Sequence, residues 1–175
     1  MKKLMLAVAT IALAVCAQAA TVKWTGANIY EKGSTETKAT GYLVYFISSS
    51  DYSLSKATAD LNAKKTAFVS TYGVASATTS NGMASNTITT SAGNSESWTG
   101  YLVIFNDSTI NKATYAYITS EATKATGAAG QAANLAFTNN TGTQTASNWK
   151  AVPEPTSGLL MLLGMAGLAL RRRRA

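Results

Sequence analysis

Between the two ends of this 175-residue chain, hydrophobic positions concentrate in two stretches, residues 40–47 and 99–105. Both are apolar at successive rather than alternate positions and rich in aromatic and β-branched side chains, a pattern that predicts strands buried on both faces in the middle of a sheet. They are also near copies. Thr40-Gly41-Tyr42-Leu43-Val44-Tyr45-Phe46 and Thr99-Gly100-Tyr101-Leu102-Val103-Ile104-Phe105 agree at six of seven positions, and Lys56-Ala57-Thr58 is echoed by Lys112-Ala113-Thr114. This reads as an internal duplication of a β unit, around 40–58 and 99–114.

Weaker patterns fill in the rest. Apolar residues flank Lys23 over 22–24, and short strands are predicted over 72–77, 85–90, 113–119, 133–138 and 149–152. One helix is predicted over 54–69, where Leu54, Ala57, Leu61 and Phe68 follow a 3.6-residue period and Asp51 or Ser53 can cap the first turn. Asn81-Gly82 is the strongest hairpin turn in the chain. Residues 25–28, 31–40, 91–97, 106–108 and 126–130 carry loop chemistry, and 138–148 reads as a polar linker. Short strands separated by turn signals predict a mainly β fold, an antiparallel β-sandwich-like domain with one short helix.

The two ends depart from this pattern. Lys2 and Lys3 precede an uncharged apolar run over 4–15, followed by Ala17-Gln18-Ala19. That is a positive segment, an apolar segment of signal-peptide length and a small-x-small cleavage site, so 1–19 is predicted to be a signal helix removed at Ala17 and Ala19. Cys16 raises a lipoprotein reading, which Val15 immediately before it disfavours. At the other end, Pro153 and Pro155 keep the chain around Glu154 extended. An apolar run begins after Ser157 and closes on Arg171, Arg172, Arg173 and Arg174. Residues 157–174 span about 27 Å as a helix, against about 30 Å of bilayer hydrocarbon, and arginines snorkel to make up the difference. The arginines hold their end on the cytoplasmic side, which places the body outside and Glu154 at the outer surface. The predicted organisation is a signal peptide (1–19), a secreted β-rich domain (20–151) and a tail with a transmembrane helix (152–175).

The order Val152-Pro153-Glu154-Pro155, apolar helix, arginine cluster, chain end resembles the PEP-CTERM sorting signal of Gram-negative bacteria. The resemblance covers about the last 24 residues. It implies recognition by an exosortase, a membrane transpeptidase-like protease, with cleavage near Pro153-Glu154-Pro155. It further implies a transient stay in the inner membrane, then delivery to the cell surface or an extracellular polysaccharide matrix. Such tails are joined to unrelated bodies, so the resemblance implies nothing about the fold of the remainder.

Charge supports export rather than nucleic-acid binding. The formal charge is +7, but six of the 15 basic residues are Lys2, Lys3 and the four terminal arginines, leaving nine lysines against eight acids. The body has no arginine, the side chain preferred for bidentate phosphate and base contacts. It has no histidine, and the single cysteine lies in the signal segment. Ser–His–Asp, Cys–His and histidine-based metal sites are therefore excluded, and no cofactor motif is present. Asp51, Asp60, Glu96, Asp107 and Glu121 leave room for a paired-carboxylate hydrolase, although each sits outside any recognisable motif. Trp24, Trp98 and Trp149, with Tyr42 and Tyr101, could stack on sugars, while the simpler reading places them in the core. Asn106-Asp107-Ser108 and Asn139-Asn140-Thr141 match a glycosylation pattern and read as turns. The leading expectation is a non-catalytic exported surface or matrix protein; the alternative is a carbohydrate-binding module for extracellular polysaccharide.

Overall fold

The computed structural model describes residues 20–62, 67–90, 97–125 and 133–152. The signal segment with Ala17 and Ala19, the tail from residue 153 onward, and Glu96 lie outside the described residues, and with them the two terminal helices. Among the described residues no helix is long and apolar enough to cross a membrane.

The elements run β1 (Ala20–Gly26), β2 (Leu43–Ser48), α1 (Leu54–Asn62), α2 (Ala67–Tyr72), β3 (Gly73–Thr78), β4 (Ala84–Thr90), β5 (Ser97–Phe105), β6 (Tyr115–Ile118), β7 (Ala122–Ala125), β8 (Ala133–Phe137) and β9 (Lys150–Ala151). Two 3-10 turns, Thr141–Gln144 and Ala146–Asn148, precede β9. The fold is mainly β, with antiparallel sheets and few helices. A three-stranded sheet has the order β4-β1-β8, and a six-stranded sheet the order β3-β2-β5-β6-β9, with β7 also on β5. Every pairing is antiparallel except β1 with β8, which is parallel.

Alternation in β1 works as its sequence predicts. Val22 and Trp24 are fully buried while Lys23 is exposed. Leu135 and Phe137 of β8 and Ile88 of β4 share that inner face, and they meet Val44 and Phe46 of β2 and Leu102 and Ile104 of β5 in one hydrophobic cluster between the sheets. The opposite face of the six-stranded sheet is covered by the helices. Ile47, Tyr101, Val103 and Phe105 pack there with Ala57 and Leu61 of α1 and Phe68 and Val69 of α2. The six-stranded sheet is thus covered on both faces, which is why β2 and β5 are apolar in both phases.

The two echoing segments lie side by side. β2 pairs with β5 in a register that sets Leu43 opposite Phe105 and Phe46 opposite Leu102. Like residues consequently face opposite ways: Phe46 is in the inter-sheet cluster and Phe105 in the helix-side one.

The local chemistry departs from the sequence reading in three places. The helix expected over 54–69 is two helices; Ser53 caps the first, accepting the Lys56 N–H at 3.4 Å, and the second runs on to Tyr72. β3 then follows without a loop at Gly73, where a side chain would meet Val69 O and the Tyr45 ring at 2.5 and 2.6 Å. β7 had no sequence signal. It continues along the edge of β5 that β6 occupies, after a break at which buried Thr119 accepts the Leu102 N–H at 2.9 Å and donates its own N–H to Leu102 O at 3.0 Å. The polar linker over 138–148 is instead packed against the body, with Asn140 and Thr143 buried. Asn81-Gly82 forms the expected turn, with φ of 48° and 71°, the two left-handed positions of a type I′ hairpin.

Candidate functional site

The tail leaves the body from β9, and the residues around that point are built from the packed segment before it. Asn140 donates from Nδ2 to Ala27 O at 2.7 Å and to Phe137 O at 2.6 Å. The Thr143 hydroxyl donates to Asn140 O at 2.7 Å and accepts the Tyr30 N–H at 3.0 Å. Thr143 O in turn accepts the indole N–H of Trp149 at 2.7 Å. Trp149 is 4% exposed and wedged between Tyr42, whose ring meets it edge-on at 5.9 Å, and Tyr117 at 5.8 Å. Burial raises the pKa of both tyrosine hydroxyls above the ordinary value.

Three residues further on the chain is still held. β9 pairs with β6 through Ala151 opposite Tyr115 and Lys150 opposite Ala116. Val152 donates its N–H to Thr114 O at 2.8 Å and is 6% exposed in the helix-side cluster. Thr114 and Tyr115 are fixed from the far side, both N–H groups donating to Asn106 Oδ1 at 3.0 and 2.8 Å. The Lys32 ammonium lies 3.4 Å from the Tyr115 ring centre. Beside β9 a groove of about 270 Å³ runs between α1 and the end of β6, lined by Leu54, Leu61, Ile118 and Lys150 among others. Pro153 is the next residue after Val152, so Pro153, Glu154 and Pro155 follow the folded body without a spacer in the sequence.

Residues 151–174 match the PEP-CTERM protein-sorting motif. The PEP-CTERM match spans the proline pair, the apolar run and Arg171 to Arg174, and its first residue already lies in β9. The motif carries export and exosortase-dependent sorting, with the tail anchored in the membrane before processing. Comparison of the chain with curated proteins and with solved structures gives no match.

Core packing, the simpler reading of the tryptophans, fits two of the three, and no exposed tryptophan platform forms among the described residues. Trp24 is fully buried, with an indole N–H that has no hydrogen-bond partner among the described residues, and Trp149 is in the clamp just described. Trp98 alone is half-buried, at the end of a ring stack in which Phe46 lies 6.5 Å from Trp24 on one side and 6.5 Å from Trp98 on the other. Large rings gain more from the inter-sheet core than from solvent. The candidate carboxylates are scattered among local tasks. Asp60 accepts from the Tyr52 hydroxyl, Glu121 from Ser49 at 2.6 Å, and Asp107 from the Thr109 N–H at 3.1 Å, while Asp51 is exposed in a turn. Asn106 spends its side chain on Thr114 and Tyr115, as a turn residue. What sequence reasoning missed is the inner part of the clamp. Asn140 and Thr143 are polar residues satisfied internally, and a polar run gives no hydropathy signal for burial of that kind.

Proposed function

We propose that the chain is an exported, non-catalytic protein of the cell surface or extracellular matrix. Its body is a sandwich-like β domain, delivered through the C-terminal tail and released by an exosortase. The observation that carries this reading is the sorting motif over 151–174, rooted directly in the last strand of a folded body. Two further features support it. The first described strand starts at Ala20, so cleavage after Ala19 leaves β1 whole. Three of the described carboxylates, Asp60, Asp107 and Glu121, accept hydrogen bonds from neighbouring hydroxyl or backbone groups, which suits a packing role.

In this reading the arginines stop transfer on the cytoplasmic side, the apolar run holds the chain in the bilayer, and Glu154 stays at the outer surface within reach of the processing enzyme. Replacing Pro153, Glu154 and Pro155 together with alanine tests it in the exporting host. The expected product is an uncut, membrane-retained chain, seen by fractionation and intact-mass measurement. Normal cutting and release of that variant overturns the proposal.

A further inference from the structure

We propose that Val152 and Trp149 are positioning residues for the processing of the tail: by holding β9 against β6 they withhold the residues on the body side of the motif, so that cutting waits on the release of β9. The inference rests on the sorting reading above.

An enzyme that cuts an extended chain engages backbone groups on both sides of the bond, commonly by pairing with it as an added strand. Here the body-side residues are already paired. The Val152 N–H is committed to Thr114 O, and Lys150 and Ala151 are laddered to Ala116 and Tyr115. The Val152 side chain is inside the helix-side cluster, and Trp149 is tied by its indole N–H to Thr143 O. The docked state therefore excludes those residues from an enzyme groove. A two-residue edge strand is also the kind of element that opens without global unfolding. Exposing one buried valine alone lowers the open population on the order of tenfold. The clamp thus sets the rate at which a folded body yields its tail.

The decisive variant carries a Gly-Ser spacer of about six residues between Val152 and Pro153, long enough to supply free chain on the body side. It leaves residues 20–152 untouched, so the fold is not in question. Pulse-labelled full-length chain is followed in the exporting host, with the ratio of cut to uncut protein read over time. The expected result is processing on the order of tenfold faster than in the parent. Val152→Ser should also be cut faster, whereas Val152→Ile, which keeps the apolar anchor, should retain the parent rate; protease resistance of the body is measured beside each. Unchanged or slower cutting of the spacer variant, with the triple-alanine variant still uncut, overturns the clamp and leaves the sorting reading standing. Normal cutting of the triple-alanine variant removes the sorting reading and the clamp together.

Discussion

Residues 40–46 and 99–105 are nearly the same heptapeptide, yet the fold uses them differently. Gly41 lies outside β2 with a φ of 79°, and a side chain there would meet nothing within 4 Å. Gly100 lies inside β5, where a Cβ would run into the Phe46 ring and approach Ile47 O at 2.7 Å. Leu102 is fully buried between the sheets, whereas Leu43 is half-buried on the helix side. Tyr101 is fully buried and donates its hydroxyl to Tyr52 O at 2.8 Å, while Tyr42 is a half-buried edge for Trp149. The lesson is that a segment buried on both faces has no preferred phase. The same string can be threaded in either orientation, and its neighbours decide which residue does what.

The largest test of this contrast is Leu102→Ala against Leu43→Ala. Truncating the fully buried leucine should cost about 2–5 kcal/mol, and the half-buried one distinctly less, by urea unfolding of the mature domain. Equal losses would mean that the two strands are interchangeable after all. Next comes Gly100→Ala, expected to cost about 1–3 kcal/mol through overpacking against Phe46. Gly41→Ala should cost about 1 kcal/mol, from its left-handed backbone alone. A variant pairing Gly100→Ala with Phe46→Leu should recover part of the first loss and none of the second. A smaller effect is expected for Tyr101→Phe, about 1 kcal/mol from the orphaned Tyr52 carbonyl, with Tyr42→Phe milder still in thermal unfolding.

The mildest test is pH. The hydrogen bond from the Tyr52 hydroxyl to Asp60, ahead of burial, pushes the tyrosine pKa from 10.0 up to about 12. Burial pushes Tyr101 up as well. A proton held more tightly in the folded state stabilises it fully below the unfolded value and is lost as pH rises through the folded one. Stability should therefore be flat up to about pH 10 and fall between there and about pH 12, and Tyr52→Phe should flatten that decline. A steeper loss below pH 9 would place the sensitive group elsewhere.

The same contrast explains what could be read in advance. The existence of β2 and β5, and their place in the middle of a sheet, follow from unbroken apolar runs. The turn at Asn81-Gly82 follows from residues that tolerate positive φ. The direction in which Phe46 and Phe105 face does not follow, because alternation is absent where both sides are covered. β7 escaped notice because Ala122, Lys124 and Ala125 have weak strand propensity and the strand is held by pairing with β5. The root of the tail was half legible: Trp149 and Val152 stand out as apolar, but the buried hydroxyl and amide of Thr143 and Asn140 that brace them look like linker.

The parallel pairing of β1 with β8 has a temporal consequence. β1 is the inner strand of its sheet, and its contacts bridge long stretches of chain: Thr25 reaches Asn134 across 109 residues. Closing so wide a loop comes late and slowly. On export from the amino end β1 emerges first and can take β4 as its partner midway, but its other edge stays unpaired until β8 follows. By then only residues 138–152 and the sorting tail remain to cross.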